Sequence, residues 1–323
     1  METLTRKSFT ASRGYSYSYI HIPARPGRRT LLFLHGFPSH LQDWVNQVRY
    51  FGEKGYGIIA PDLLGYGRSS KPDNAIEYSF KPMSDDIAEL LQHLAIEAVV
   101  GIGHDFGANF LGRFAAYHPT KLTGVIFLAV GSGKPGKKFD IDMIHSMTKR
   151  SLGFEMFGYI SWLGGKDDPH RVLEQNARSA MSLLFAKDHS AWNEWFQPLG
   201  KMRQFVQEDR RLEIGPWFTP ELQRQHLDSF TAAGGYKGAT RWYRMLLTNA
   251  SVPDERELES FVIQHPTLII GDPGTSAQQE QMLSEWVEDL QTDHINSGHW
   301  LHLEKPHEVN RSIESFLLTL RSE

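Results

Sequence analysis

Short apolar runs alternate with segments of helical periodicity over the first 130 residues and again after residue 252. Residues 31–34 and 57–60 are continuously apolar, which is typical of strands buried in a parallel sheet. Alternating strands and helices predict a mostly parallel sheet that is covered on both faces. The predicted strands lie at 14–22, 31–34, 57–60, 96–100, 124–130, 266–271 and near 294–295, and the predicted helices at 41–50, 84–94, 109–117, 278–290 and 306–320.

Between residues 131 and 252 the strand pattern stops, and aromatic residues and methionines become frequent. This pattern indicates a helical insertion, or lid, over the carboxyl-terminal edge of the sheet. Large apolar side chains are usually buried, so most of these aromatics are expected to form the insertion's own core, and a minority to line a pocket. We therefore expect an α/β core at 1–130 and 253–323 and a lid at 131–252.

The segment between the fourth predicted strand and the third predicted helix, residues 101–108, reads GIGHDFGA. A strand that turns directly into a helix needs small residues on both sides of its central residue, and here that residue is Asp105. The pattern predicts a nucleophile elbow with aspartate where serine more often stands. A dinucleotide-binding loop would need glycine where Phe106 stands. A tight turn with Asp105 as a simple helix N-cap remains an alternative.

Composition narrows the class of protein without naming its chemistry. The 323 residues carry a net charge of −4 and no cysteine, which predicts no nucleic-acid partner and no disulfide framework. Residues 1–8 lack the apolar core of a signal peptide. No run of about 18 apolar residues predicts a membrane span. We expect a cytoplasmic protein that is a monomer or a homodimer.

Three chemically active segments each follow a predicted strand. These are residues 35–38 (HGFP), Asp105, and His299 in a Gly-His turn. Active-site residues of open parallel sheets gather at the carboxyl ends of the strands. The backbone N–H groups of Phe37 and Phe106 would then form an oxyanion hole, and His299 would act as the base.

The chain has fifteen histidines, so an ordinary surface or core histidine is the common alternative for any one of them. His104 and His118 flank the elbow helix, and His294 lies inside a predicted strand. His302 is the closest competitor of His299 for the role of base.

The motifs HGFP at 35–38, GHDFGA at 103–108 and GHW at 298–300 resemble the α/β-hydrolase fold, and more narrowly its soluble epoxide hydrolase branch. The resemblance implies a mostly parallel eight-stranded sheet with a helical lid, an aspartate nucleophile, a histidine base, an orienting acid and two lid tyrosines. It implies neither a metal nor an organic cofactor. A carboxylate can displace oxygen at the saturated carbon of a strained epoxide and form an alkyl ester.

The resemblance also assigns the remaining site residues. RWYR at 241–244 matches the segment of the second lid tyrosine, and FGYIS at 157–161 is similar to that of the first. Tyr243 and Tyr159 therefore take these roles, the alternative for each being a packed aromatic with a satisfied hydroxyl. The residues expected to contact an apolar substrate are His35, His104, Trp162, Trp242 and Trp300.

The orienting acid is the one part of the family pattern that this chain lacks at the usual position. The family acid usually stands where this chain has Gly274 or Thr275, and the alternative place at 130–133 also lacks a carboxylate. Asp272 is the nearest substitute, although it could also only cap a turn. In a related triad the loss of this acid costs about 10⁴-fold in rate.

Three functions follow from these residues. The first is hydrolysis of an apolar epoxide to a vicinal diol. The second is a dehalogenase, whose relatives commonly place tryptophan after the nucleophile and a polar residue in the oxyanion motif, where Phe106 and Phe37 stand here. The third is a non-hydrolytic or cyclising homologue, or a pseudoenzyme, that binds an apolar metabolite.

Overall fold

The computed structural model describes residues 5–232 and 234–320. Within them, eight strands form one sheet in the order β1-β2-β4-β3-β5-β6-β7-β8. β2 runs antiparallel to β1 and β4, and the other neighbours are parallel, which confirms the predicted fold class. The strands are β1 (Arg6–Thr10), β2 (Ser16–Ile22), β3 (Thr30–Leu34), β4 (Gly57–Pro61), β5 (Val99–His104), β6 (Leu122–Leu128), β7 (Thr267–Gly271) and β8 (Leu290–His294).

The described part of the chain also contains fourteen α-helices. Short 3-10 turns lie at Leu41–Trp44, Ala75–Tyr78 and Pro119–Lys121, and a π-helical turn at Trp192–Phe196. The α-helices are α1 (Val45–Glu53), α2 (Phe80–His93), α3 (Phe106–Tyr117), α4 (Ile141–Leu152), α5 (Gly158–Leu163), α6 (Pro169–Gln175), α7 (Ala177–Leu184), α8 (Lys201–Gln207), α9 (Pro220–Thr231), α10 (Gly235–Leu247), α11 (Val252–Arg256), α12 (Pro273–Leu283), α13 (Leu301–Glu304) and α14 (Pro306–Thr319).

Several predicted element boundaries were wrong, and β1 (Arg6–Thr10) was not predicted. The predicted helix 278–290 ends at Leu283, and Leu290 instead begins β8, because the backbone of Leu290–His294 pairs in parallel with β7. Ser84, the first residue of the predicted helix 84–94, lies buried inside α2. The apolar face of α2 extends back to Phe80, so the helix begins four residues earlier than predicted.

The central strands form the middle of the core. Residues 31–34 of β3, together with β4 and β5, are almost completely buried. Burying one large aliphatic or aromatic side chain contributes about 1.5–3 kcal/mol. The polar residues that follow the carboxyl ends of these strands are therefore anchored to a buried apolar core.

The chain divides into two compact units. The first comprises Met1–Leu63, Phe80–Pro135 and Asp254–Glu323, and the second Leu64–Ser79 and Gly136–Pro253. The second unit includes residues 64–79, which lie outside the predicted lid range. In that unit the Trp242 indole N–H donates to the Leu64 carbonyl at 2.8 Å, a contact across 178 positions of sequence.

No helix in the described ranges 5–232 and 234–320 has the length and apolar character needed to cross a membrane. The segment 1–8, considered above for a signal peptide, is only partly covered, because residues 1–4 lie outside the described residues.

Candidate active site

Asp105 occupies the sharp turn between β5 and α3. Its backbone has φ 56° and ψ −123°, a conformation that costs a non-glycine residue about 1–3 kcal/mol. Glycines make the turn possible, since a Cβ on Gly107 would collide with the Leu34 carbonyl oxygen and one on Gly103 would lie 2.5 Å from the Gly107 oxygen. The Asp105 side chain makes no N-cap hydrogen bond to the helix. This geometry differs from that of a simple capped turn.

The Asp105 carboxylate is held by backbone donors. The Phe37 N–H donates to its Oδ1 at 2.8 Å, and the Phe106 N–H also hydrogen bonds to the carboxylate. Burial raises the pKa of Asp105 above its ordinary value, and the two N–H groups act in the opposite direction because they favour the ionised form. The side chain still has 23% of its surface exposed, so a reactant can reach it.

Gly36 allows the loop of Phe37 to approach the carboxylate this closely. A Cβ at position 36 would collide with Asp105 Oδ1 and lie 2.5 Å from Asp105 Cβ and 2.7 Å from the Phe106 nitrogen. The Phe37–Pro38 peptide bond, which follows directly, is cis. The motif HGFP therefore brings a backbone donor and the nucleophile together because its second residue has no side chain.

His35, which was predicted to contact substrate, bonds through both ring nitrogens to the backbone of this region. Its Nδ1–H donates to the Gly36 carbonyl at 3.0 Å, and its Nε2 accepts from the Leu63 N–H at 3.0 Å. The ring is buried, and burial lowers the pKa of His35 to about 4. Both nitrogens are thus used by the backbone, and the neutral ring fixes the loop.

His299 lies beside the nucleophile. Its Nε2 is 3.6 Å from Asp105 Oδ2, and its side chain is 17% exposed. This separation exceeds a hydrogen bond but places the imidazole next to the oxygen that the Phe37 N–H does not hold. The two carboxylate oxygens consequently have different neighbours: a backbone donor at Oδ1 and an imidazole at Oδ2.

His104, which precedes the nucleophile, links β5 to the His299 loop. Its Nε2–H donates to the His299 carbonyl at 2.8 Å, and the ring is completely buried. Burial and the nearby His299 lower the pKa of His104 to about 3, so the ring stays neutral. Trp300 is also buried, with its ring centroid 5.2 Å from that of His104. Their substrate contact stays a prediction, and the contacts seen in the structure link the end of β5 to the His299 loop.

The competing histidines lie elsewhere. His302 is buried, with its ring centroid 4.5 Å from that of His104, and burial lowers its pKa well below the ordinary value. His118 lies 2.9 Å from Asp85, and His294 lies exposed on β8. His299 is therefore the histidine of this group that combines partial exposure with proximity to Asp105.

Asp272 stands at the end of β7, as predicted, and begins α12. Its Oδ1 accepts the Gly274 N–H at 2.8 Å, which is an N-cap interaction. This contact fits the alternative interpretation of Asp272 as a capping residue.

The two predicted tyrosines are neighbours within the second unit. The ring centroids of Tyr159 and Tyr243 lie 6.0 Å apart in an edge-to-face arrangement, and Tyr159 stacks on Phe196 at 4.1 Å. Trp162 on α5 is 7% exposed. Trp242 is completely buried, and its N–H donates to the Leu64 carbonyl.

Glu304 belongs to the site but was missed from the sequence. It is the last residue of α13, and its carboxylate accepts hydrogen bonds from the backbone on both sides of His299. Its spacing of five residues from the histidine is the only signal that the sequence offers, and a solvated glutamate would show the same spacing.

The chain is similar to one family model and to several proteins that are named epoxide hydrolases. A family model described as "alpha/beta hydrolase fold" matches residues 29–306. The chain is 26% identical over 308 residues to "Epoxide hydrolase A" of Mycobacterium tuberculosis, covering 91% of this chain and 92% of that one. It is 27% identical over 316 residues to "Epoxide hydrolase" of Caballeronia sordidicola, covering 93% and 91%. With "Bifunctional epoxide hydrolase 2" of Sus scrofa it shares 25% identity over 296 residues, and there it spans 50% of the relative's length.

Solved structures show the same fold. The crystal structure of Epoxide Hydrolase A from Mycobacterium thermoresistibile superposes with a TM-score of 0.83 at 24% identity, covering 99% of this chain and 100% of the other. An epoxide hydrolase from an endophytic Streptomyces gives 0.85 at 23% identity, covering 99% and 97%.

Proposed function

The chain belongs to the α/β-hydrolase fold family, and we propose that it is an epoxide hydrolase that forms a covalent ester on Asp105. One observation carries the proposal: Asp105 Oδ1 accepts the Phe37 N–H at 2.8 Å while Oδ2 lies 3.6 Å from His299 Nε2. The carboxylate thus has one oxygen placed for a backbone donor and the other free to attack carbon. The similarity of the chain to epoxide hydrolases over most of its length supports an epoxide as the substrate.

In the first step, Asp105 Oδ2 attacks one carbon of the epoxide ring. A C–O bond forms to Oδ2, the ring C–O bond breaks, and the ring oxygen leaves as an alkoxide. Relief of ring strain makes this displacement feasible for a carboxylate, and the product is an alkyl ester on the enzyme. Oδ1 becomes the ester carbonyl oxygen and keeps its hydrogen bond from the Phe37 N–H.

The alkoxide needs a proton, and we assign the donors to the hydroxyls of Tyr159 and Tyr243. This assignment depends on the motif match and on the proximity of the two rings, which lie 6.0 Å apart. A tyrosine of ordinary pKa, about 10, is neutral at pH 7 and can donate a proton. The aromatic character of residues 131–252 favours an apolar epoxide of medium or large size.

In the second step, His299 removes a proton from water, and the resulting hydroxide attacks Asp105 Cγ. Negative charge develops on Oδ1, where the N–H groups of Phe37 and Phe106 form the oxyanion hole. One such donor typically contributes about 3–4 kcal/mol to a tetrahedral intermediate. The bond between Asp105 Cγ and Oδ2 then breaks, and His299 gives its proton to the departing oxygen. The new Asp105 carboxyl returns the second water proton to the tyrosinate, and the vicinal diol leaves with an oxygen that came from Asp105.

We retain Asp272 as the proposed orienting acid for His299. Asparagine at this position keeps an oxygen that can accept the Gly274 N–H, so Asp272→Asn removes the charge while preserving the N-cap. Slower ester hydrolysis in this variant supports the role of acid. A rate equal to that of the unmodified enzyme assigns Asp272 to capping alone.

The test is intact-mass spectrometry after addition of styrene oxide or 1,2-epoxydecane. We expect His299→Gln to accumulate a species heavier by one epoxide, and Asp105→Ala to form neither this species nor the diol. His294→Gln, an exposed histidine on β8, is the matched control and should turn over normally. In ¹⁸O-labelled water with enzyme in excess, the first turnover should place the label in Asp105 and not in the diol.

The same experiment distinguishes the alternatives. Diol formation that persists in Asp105→Ala refutes the ester mechanism. Absence of any adduct in His299→Gln, together with binding of the epoxide without turnover, supports the non-hydrolytic or pseudoenzyme hypothesis. Halide release from a haloalkane panel supports the dehalogenase.

A further inference from the structure

We propose that Glu304 is a positioning residue for His299, an inference that rests on the proposed function. The Glu304 carboxylate accepts the Gly298 N–H at 2.9 Å on Oε2 and the Trp300 N–H at 3.2 Å on Oε1. The Ser297 hydroxyl lies 3.3 Å from Oε2. The carboxylate therefore binds the backbone immediately before and immediately after the base.

These contacts restrain the His299 backbone from several directions. Hydrogen bonds from N–H groups to a carboxylate are stronger than those between neutral groups. The carbonyl of residue 299 itself accepts from buried His104 at 2.8 Å, which adds a restraint from the end of β5. With both flanking N–H groups and its own carbonyl bound, the loop has little freedom to rotate the imidazole away from Asp105.

The carboxylate is anchored as well as the loop. Glu304 ends α13, a short helix whose Leu301 and Leu303 are buried in the core. A shift of Glu304 would therefore require repacking of these side chains. The contacts therefore link the His299 loop to the buried residues of α13.

The proposal makes a kinetic prediction that a purely structural role does not. His299 acts only in ester hydrolysis, whereas ester formation requires Asp105 and the acid. Loosening the His299 loop should therefore slow the second step and leave the first step unchanged. A misplacement of about 1 Å in a reacting group can cost about 100-fold in rate.

The test is Glu304→Gln, which conserves size. The amide retains one oxygen acceptor but points an N–H₂ group at a backbone N–H, so one side of the loop is released. With styrene oxide in single-turnover experiments, we expect ester formation within about twofold of the unmodified enzyme and ester hydrolysis slower by about tenfold to 100-fold. The ester should consequently accumulate by intact mass.

Glu308→Gln is the matched control, because it removes the same charge four residues further on, in the first turn of α14, and the carboxylate there does not bind the 297–300 loop. It should hydrolyse the ester at the normal rate. Thermal melting of both variants checks that the fold is intact at the assay temperature.

Equal slowing of both steps in Glu304→Gln, or no slowing of either, overturns the proposal. A second readout does not depend on turnover: the ¹⁵N resonances of the His299 ring, assigned with His299→Gln, should shift or broaden in Glu304→Gln and stay unchanged in Glu308→Gln. If the unmodified enzyme forms no ester, the proposed function fails. The ¹⁵N spectrum still tests whether Glu304 positions His299, because it does not depend on turnover. An unchanged His299 signal in Glu304→Gln overturns the inference even where the epoxide chemistry holds.

Discussion

Gly36→Ala should slow ester formation by about 100-fold while leaving the protein folded. The added methyl group points at the nucleophile, because a Cβ at this position would collide with Asp105 Oδ1 and lie 2.5 Å from Asp105 Cβ. It would also lie 2.7 Å from the Phe106 nitrogen. Backbone and a short side chain both limit how far these atoms can yield.

The size of the effect follows from this overlap. Two carbons in ordinary contact lie about 3.5–4.0 Å apart, so the contact at 2.5 Å requires a displacement of about 1 Å. Displacing a reacting group by about 1 Å can reduce the rate about 100-fold, which is a barrier increase of about 2.7 kcal/mol at 1.36 kcal/mol per tenfold. Overpacking should also lower the free energy of unfolding by about 1–3 kcal/mol.

Both quantities can be measured on purified protein. Single-turnover mass spectrometry with styrene oxide gives the rate of ester formation, and guanidinium titration gives the free energy of unfolding. Gly52→Ala is the matched control, since a Cβ there meets only Ile22 Cδ1 at 3.4 Å within helix α1. A glycine-to-alanine change that the native backbone accepts stabilises by about 0.4–1 kcal/mol, so this variant should be fully active and slightly more stable.

Two results would refute the reasoning. Ester formation in Gly36→Ala at the rate of the unmodified enzyme shows that the carboxylate position does not depend on this approach. A comparable loss of activity in Gly52→Ala shows that the effect is general.

Two further predictions concern the acid and the buried histidines. Tyr243→Phe should slow ester formation by about 10²–10⁴-fold, the usual contribution of an acid or base, and leave ester hydrolysis unchanged. Tyr236→Phe on the same helix is the control and should slow neither step. An equal loss of rate in both variants contradicts the role of Tyr243. The pKa values of His35 and His104 are lowered to about 4 and about 3, and that of His302 well below its ordinary value. Between pH 5 and 6.5 the unfolded chain therefore binds more protons, and the free energy of unfolding should rise with pH by up to about 1.4 kcal/mol per unit for each histidine. Guanidinium titration at both pH values should give a smaller rise for His302→Gln, and an unchanged rise would contradict the prediction.

Local sequence determined the central parallel strands and the turn at Asp105. Continuous apolar runs such as 31–34 need no distant partner to indicate a buried strand, and small residues on both sides of Asp105 are a local steric requirement. Periodicity was less informative where polar residues form an edge strand. Leu290–His294 forms strand β8 because its backbone pairs with that of β7.

The roles of individual side chains were decided by contacts that no local pattern encodes. His104 bonds to a carbonyl 195 positions away, and Trp242 bonds to one 178 positions away. The local sequence does not distinguish Glu304 from a surface glutamate. The fold places its carboxylate within hydrogen-bond distance of the His299 loop. Sequence alone therefore determined the central strands and the sharp turn at Asp105. Only the tertiary structure decided which polar groups hold them in place, because a hydrogen bond depends on the positions of two atoms that the chain brings together on folding.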